Sequence, residues 1–260
     1  MAEERERRLV FGEVAKLYER YRPGYPDQAF DEVMEFGTLS PGDLALEVGG
    51  GTGRATLPLA ARGLRVTALE PSPAMADVLR QKTKSLPGVE VEVASFEDWP
   101  LPVVGFDLLV SAQAWHWVRP EVAFVKASQA LRPGGCLALL WNSPSEGDAE
   151  GDPIRTAIDQ VYRREAPGLV AQPPGDVSDD RRPEIEASGL FLRIRREEYR
   201  WSLDYSAAEY MGLLETQSDH RLLSPDSRQR LLDGIAVVIV GQGGRLRVDY
   251  RTQLYLAMRP

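Results

Sequence analysis

The sequence predicts an α/β fold built on a seven-stranded, mostly parallel sheet with helices on both faces. Three observations carry that expectation. From Leu44 to Asn142, short apolar runs alternate with longer helical stretches, the pattern of parallel strands joined by crossover helices. The first run, LALEV (44–48), empties into GGGTG (49–53), four glycines in five positions. Such a cluster marks a sharp strand-to-helix turn or a backbone that must come close to a ligand. The chain closes on the alternating run RLRVDYRTQLYLAM (245–258), entered through the short turn GQGGRL. A connection that short suits an antiparallel last strand better than a crossover.

Residues 3–20 read as a helix that ends before RPGYP. Pro26 and Asp27 suit the first turn of a second helix, which runs to about Glu35. After the strand at 44–48, RATLPLAAR (54–62) is a helix whose first turns absorb Pro58, and LRVTALE (64–70) is a second strand. Pro73 opens a helix over 73–84, VEVEVAS (89–95) alternates as a third strand, and FDLLVSA (106–112) is a fourth. PEVAFVKASQALR (120–132) is a helix stopped by PGG, and CLALLWN (136–142) is a fifth strand. Beyond Asn142 the pattern weakens. SPSEGDAEGDP and PGLVAQPPGDVSDD read as surface loops around a helix over 153–165. LFLRIRREEYRW (190–201) reads as a sixth strand, and helices near 206–217 and 225–240 precede the seventh. The expected organisation is one domain over 1–260: a helical lid at 1–40, a core with the glycine-rich loop at 41–145, and the remaining strands with helical insertions at 146–260.

Composition narrows the function. Of 260 residues, 43% are hydrophobic and 27% charged, an ordinary soluble balance. No apolar run reaches the length of a membrane span, and MAEERERRLVFGEV is charged where a signal peptide is apolar, which reads as a cytoplasmic protein. Cys136 is the only cysteine, and His116 and His220 are the only histidines, so neither a disulfide nor a metal site is expected. The net charge is −8. The one arginine cluster, RIRREEYR, carries its own glutamates. Nucleic acid and anionic membrane are therefore not expected as partners.

The glycine loop lies at the carboxyl end of the first strand, where open parallel sheets bind ligands. It is not the dinucleotide fingerprint G-x-G-x-x-G, because Arg54 stands where the third glycine belongs, and no G-K-[ST] follows. Glu47, two residues before Gly49, would repel phosphates and attract an ammonium group.

LEVGGGTG resembles motif I of the class I S-adenosylmethionine-dependent methyltransferases, with Glu47, Gly49, Gly51 and Gly53 matching [DE]-x-G-x-G-x-G. The resemblance implies a Rossmann-like sheet with a helical lid, and S-adenosyl-L-methionine as methyl donor with S-adenosyl-L-homocysteine as product. Glu70, seventeen residues after Gly53, is then the acid that takes both ribose hydroxyls. Pro71 and Met75 in PSPAM lie near the adenine. Ser95, Phe96 and Glu97 in ASFEDWP surround it, with Ser95 standing where many relatives carry Asp. ALRPGG is a further, mainly structural, hallmark.

The stretch QAWHW resembles a small-molecule subgroup that includes trans-aconitate methyltransferase-like proteins. There Gln113 contacts the methionine half of the cofactor, and His116 is the candidate catalytic residue, orienting or deprotonating the acceptor. Trp115 is expected in the substrate pocket wall with Asn142, and Trp117 in the core. LYERYRPGYP also resembles this subgroup, and Arg22 or Tyr18 would meet the methionine carboxylate. His220 is expected to be solvated. The implied activity is methyl transfer to a small molecule by in-line displacement. The rivals are an RNA or protein acceptor, disfavoured by the acidic balance, an NAD(P)-linked oxidoreductase, disfavoured by Arg54, and a cofactor-binding protein without catalysis.

Overall fold

The computed structural model describes residues 15–144, 152–170 and 180–260. Its strands are β1 (Leu44–Val48), β2 (Arg65–Leu69), β3 (Val89–Glu92), β4 (Phe106–Ala112), β5 (Leu131–Pro144), β6 (Leu192–Ser206) and β7 (Arg245–Met258). They form one sheet in the order β3-β2-β1-β4-β5-β7-β6. The first five strands pair in parallel. β7 runs antiparallel to both β5 and β6, as the short turn before it predicts. The central strands read as continuous apolar runs because both faces are covered: Ala45, Leu46, Leu108, Leu109 and Val110 have no solvent exposure. β6 is an edge strand. Its ion pairs Arg195–Glu197 and Arg196–Glu198 put charge along an edge that would otherwise invite another chain.

The helices are α1 (Ala15–Tyr21), α2 (Asp27–Gly37), α3 (Thr56–Ala61), α4 (Pro73–Thr83), α5 (Pro120–Ala130), α6 (Pro153–Glu165), α7 (Pro167–Val170), α8 (Arg182–Ser188), α9 (Ala207–Glu215), α10 (Ser218–Arg221) and α11 (Pro225–Gly241). Local signals open several of them. Ser72 caps α4 by accepting from Met75 N, with Pro73 in the first turn. Ser206 and Glu209 form a reciprocal capping box on α9.

Three apolar clusters hold the layers. One lies between one sheet face and α5 and α8, the second between the other face and α2 and α3. The third sits under α6, α9 and α11, against the far ends of β6 and β7. These C-terminal helices thus pack on a core of their own and form a cap.

The structure differs from the sequence reading in several bounds. Of the helix expected over 3–20, only the part from Ala15 lies within the described residues. α3 starts at Thr56 because the glycine turn consumes the residues before it. β3 ends at Glu92, so Ala94–Glu97 peel away from the sheet toward the cleft described below. α5 stops at Ala130, and β5 begins at Leu131, ahead of PGG. The ladder jumps from Phe106↔Leu131 to Leu108↔Cys136, so residues 132–135 bulge. Backbone bonds to Arg259 hold that bulge, Gly134 N to Arg259 O and Arg259 N to Gly135 O, both 2.9 Å. α7 stands where a loop is expected, α8 forms in a stretch to which the sequence reading assigns no element, and β6 runs on to Ser206. Residues 145–151 and 171–179 of the two expected loops lie outside the described residues.

Candidate cofactor cleft

β1, β2 and β4 deliver their carboxyl ends to one cleft that opens to solvent. It lies where the strand order reverses between β1 and β4, the expected place for a ligand in an open α/β sheet. Of the residues singled out in the sequence, Tyr18, Gly49, Gly51, Glu70, Pro71 and Met75 line it, as do Ser95, Phe96, Glu97 and Gln113.

The glycines differ in what they face. Gly49 N and Gly50 N both donate to Leu69 O at 2.9 Å, which folds the loop back over β2. A Cβ at Gly49 would lie 2.2 Å from Ala114 Cβ, and one at Gly53 would lie 2.6 Å from Leu79 Cδ1. Those two are small because the protein itself is close. Gly51 has φ +55, and a Cβ there would meet nothing nearer than Met75 Cε at 3.9 Å. Its open side belongs to the cleft. Gly53 does not line the cleft, which corrects its assignment as a contact residue: it lets the turn pack on α4.

Two glutamates sit behind this loop with different fates. Glu70, 7% exposed, accepts from Gly51 N through Oε2 and from Ser72 N through Oε1, each at 2.8 Å. Burial pushes its carboxyl pKa up, and these two N–H groups pull it back. Both oxygens retain acceptor capacity on the cleft wall. Glu47 is 1% exposed, accepts from the Thr56 hydroxyl, and is absent from the cleft wall. Burial, with the neighbouring Glu70 adding to it, lifts its carboxyl pKa to about 8. Glu47 is therefore largely neutral at pH 7 and supplies no charge to attract an ammonium group.

α1 brings Tyr18 to the cleft wall, and its C-terminal turn is held from two sides. Lys82 donates to Glu19 Oε1 at 2.7 Å and to Thr52 O at 2.9 Å, joining α1 to the glycine loop. Tyr21 packs on α9 so closely that a Cβ at Gly212 would lie 2.3 Å from its ring. Arg22 Nε donates to Thr216 Oγ1 at 2.8 Å and its terminal nitrogen to Thr216 O at 2.9 Å. Arg22 is thus spent on the cap and does not line the cleft, while Tyr18 does.

The segment after β4 reverses two expectations. Gln113 takes φ +56, and Trp115–Trp117 form one 3₁₀ turn. Side chains in such a turn step by about 120°. Trp115 therefore points into the core, 5% exposed, against Phe96 and Phe124 at ring distances of 6.1 and 5.4 Å. His116 points outward, and Trp117 lines the cleft in place of Trp115. His116 Nδ1 accepts from Trp141 Nε1 at 3.4 Å, and the ring is not part of the cleft wall. Asn142 is not in the wall either. Its Nδ2 donates to Gly24 O at 2.7 Å, and its Oδ1 accepts from Thr252 at 2.6 Å. His220 is buried, not solvated, between Tyr162 Oη at 2.7 Å and Asp219 Oδ1 at 3.2 Å.

In the loop after β3, Ser95 Oγ bonds Asp98 Oδ2 at 2.8 Å, and Glu97 Oε1 accepts from Arg119 N at 3.1 Å. Trp117, Val118 and Ala114 are wall residues that sequence reasoning missed. Trp117 was in view but on the wrong side of its turn. Cys136 is buried, and burial pushes its thiol up to about 12. Among the described residues no cluster suits a metal ion, and no helix is long and apolar enough to cross a membrane.

A sheet ordered 3-2-1-4-5-7-6, with a glycine turn and an anchored acid at its reversal point, defines a class. The chain belongs to the class I S-adenosylmethionine-dependent methyltransferase family. Residues 46–139 match the methyltransferase-domain family. An uncharacterized methyltransferase of Mycobacterium tuberculosis is 38% identical over 165 residues, covering 59% of this chain and 65% of the relative. One from Geobacillus kaustophilus is 31% identical over 60% of this chain and 74% of its own length. The match thus spans 65% of the Mycobacterium relative's length. Phosphoethanolamine N-methyltransferase 2 of Haemonchus contortus, solved with S-adenosyl-L-methionine, shares the Rossmann-like fold. Its TM-score is 0.53 at 17% identity, over 96% of this chain and 56% of that one.

Proposed function

We propose that this chain transfers a methyl group from S-adenosylmethionine to a small-molecule acceptor. The observation that carries the reading is the pairing of Gly51 with Glu70: an open left-handed glycine whose N–H fixes a buried acid on the same wall. The cradle fits the cofactor. Glu70 keeps acceptor capacity for two ribose hydroxyls, Gly51 lets the ligand lie against its backbone, and Met75 and Phe96 offer apolar faces for the adenine. In this reading Ser95 and Glu97 take the adenine side, and Gln113 and Tyr18 the methionine side; all four line the cleft. When bound, the cofactor supplies an electrophilic methyl on a sulfonium. The residues of this chain hold it in line with the acceptor, and much of the rate comes from that positioning.

A small acceptor is favoured by α1, which is held beside the cleft by Glu19 and Arg22, and by the net charge of −8. His116 takes no part in this reading, because its ring is exposed and lies outside the cleft wall. Calorimetry with S-adenosylhomocysteine, S-adenosylmethionine and NAD tests the cofactor. Binding of both sulfur ligands at about micromolar Kd is expected, with loss of the ligand-induced melting shift in Gly51→Val and only a modest change in its ligand-free melting. Tight binding of NAD alone would overturn the assignment.

A further inference from the structure

A chain of side-chain hydrogen bonds ties the turn between α1 and α2 to the far strands of the sheet. Trp201 Nε1 on β6 donates to Thr252 Oγ1 on β7 at 2.8 Å. The Thr252 hydroxyl donates to Asn142 Oδ1 on β5 at 2.6 Å. Asn142 Nδ2 then donates to Gly24 O in the turn at 2.7 Å. The main-chain oxygen of Asn142 also accepts from Gln113 Nε2 at 2.8 Å. The polarity of the chain is fixed. An indole N–H only donates, so Thr252, which has one proton, must pass its own to Asn142. That sets the Asn142 amide with its nitrogen toward Gly24. Thr252 has no solvent exposure, so water cannot substitute for a lost link.

Of these residues only Gln113 lines the cleft. Its φ of +56 is unusual for a residue with a side chain, and such a backbone persists where its surroundings hold it. With its amide nitrogen fixed on Asn142 O, its Oε1 is left as an acceptor for the cleft. The other end of the chain holds Gly24, three residues after the end of α1, which carries Glu19, and six after Tyr18, which also lines the cleft. The turn and Gln113 are thus both bonded to Asn142, the turn through its side chain and Gln113 through its main chain.

We infer that Asn142 and Thr252 are positioning residues, which place Gln113 and Tyr18 at the end of the cleft that takes the methionine portion of the cofactor. The inference rests on the cofactor reading above and assigns Asn142 a role other than substrate contact. Two ligands separate the ends of the cleft: S-adenosylhomocysteine occupies both, while adenosine occupies only the end near Glu70. Calorimetric Kd values for the two are measured on wild type, Thr252→Val, Thr252→Ser and Trp201→Phe, after thermal melting shows each variant folded. Thr252→Val should weaken S-adenosylhomocysteine by about tenfold, the scale of one hydrogen bond, and leave adenosine within about twofold. Thr252→Ser should restore both. Trp201→Phe, which keeps the ring but releases the polarity, should show a smaller loss of the same kind, and it carries the test if the valine variant does not fold. An unchanged ratio of the two constants, or an equal loss of both ligands, would overturn the inference. A wild type that binds neither ligand would instead overturn the cofactor reading.

Discussion

Glu70 and Gln113 both line the cleft, one after β2 and one after β4, and are held by different kinds of structure. Glu70 is fixed by backbone N–H groups 19 and 2 residues away. Gln113 is bonded to the main-chain oxygen of Asn142, 29 residues on, whose side chain is itself bonded to Gly24 and Thr252 at separations of 118 and 110 residues. The first wall is made by one strand–turn–helix unit and the strand beside it. The second is assembled from β4, β5, β6, β7 and the α1–α2 turn. A wall of the first kind survives wherever its short motif folds. A wall of the second kind exists only when the cap and the far strands are in place.

The largest expected effect distinguishes the two tryptophans after β4, Trp115 in the core and Trp117 on the cleft wall. Trp115→Ala removes a buried ring and should cost about 3–5 kcal/mol of stability, whereas Trp117→Ala, on the cleft side, should cost less than about 1 kcal/mol in ligand-free protein. Denaturant unfolding of both variants measures this directly. Equal losses would mean that the two rings share the core and that the 3₁₀ turn does not divide them.

Glu70→Ala tests the first wall. It should weaken S-adenosylhomocysteine by about 1.5–3 kcal/mol, the scale of hydrogen bonds to a charged group, with folding largely kept. A collapse of stability at unchanged affinity would make Glu70 a structural acid and dissolve the contrast between the walls.

Glu47 sharpens the comparison from behind the same loop. Its folded-state pKa of about 8 lies above the ordinary value of 4.5. Between those values the folded chain holds a proton that the unfolded chain releases, so Glu47 subtracts stability as pH rises through this window. Glu47→Gln cannot titrate. The variant should therefore gain on wild type by on the order of 2 kcal/mol between pH 5 and pH 7, read from unfolding curves at both pH values. Parallel pH profiles for the two proteins would show that Glu47 is ionised in the fold.

Alternation of apolar strands and helices placed β1 and β4 at their observed bounds. The short GQGGRL turn gave the direction of β7. Glycine, proline and a strand-end acid act through the backbone, and the backbone obeys neighbours a few residues away. For this reason the glycine loop was legible from its residues, while Glu70 and the loop Ser95–Glu97 joined it through the family resemblance; all line one cleft. Arg22, Trp115, Trp117, His116 and Asn142 were legible as polar or aromatic residues near strand ends, but not in their directions. A long side chain takes its orientation from whichever partner satisfies it. For Arg22 that is Thr216, for Asn142 it is Gly24 and Thr252, and for Trp115 it is Phe96 and Phe124. Thr216 and Thr252 lie in regions where the apolar pattern is weak or the strand partner is antiparallel and distant. Sequence alone determined the sheet and the glycine turn of the first wall, because each needs only local propensity and burial; Glu70 joined that turn through the family motif. Only the tertiary structure decided the second wall, because its hydrogen bonds close loops of up to 194 residues.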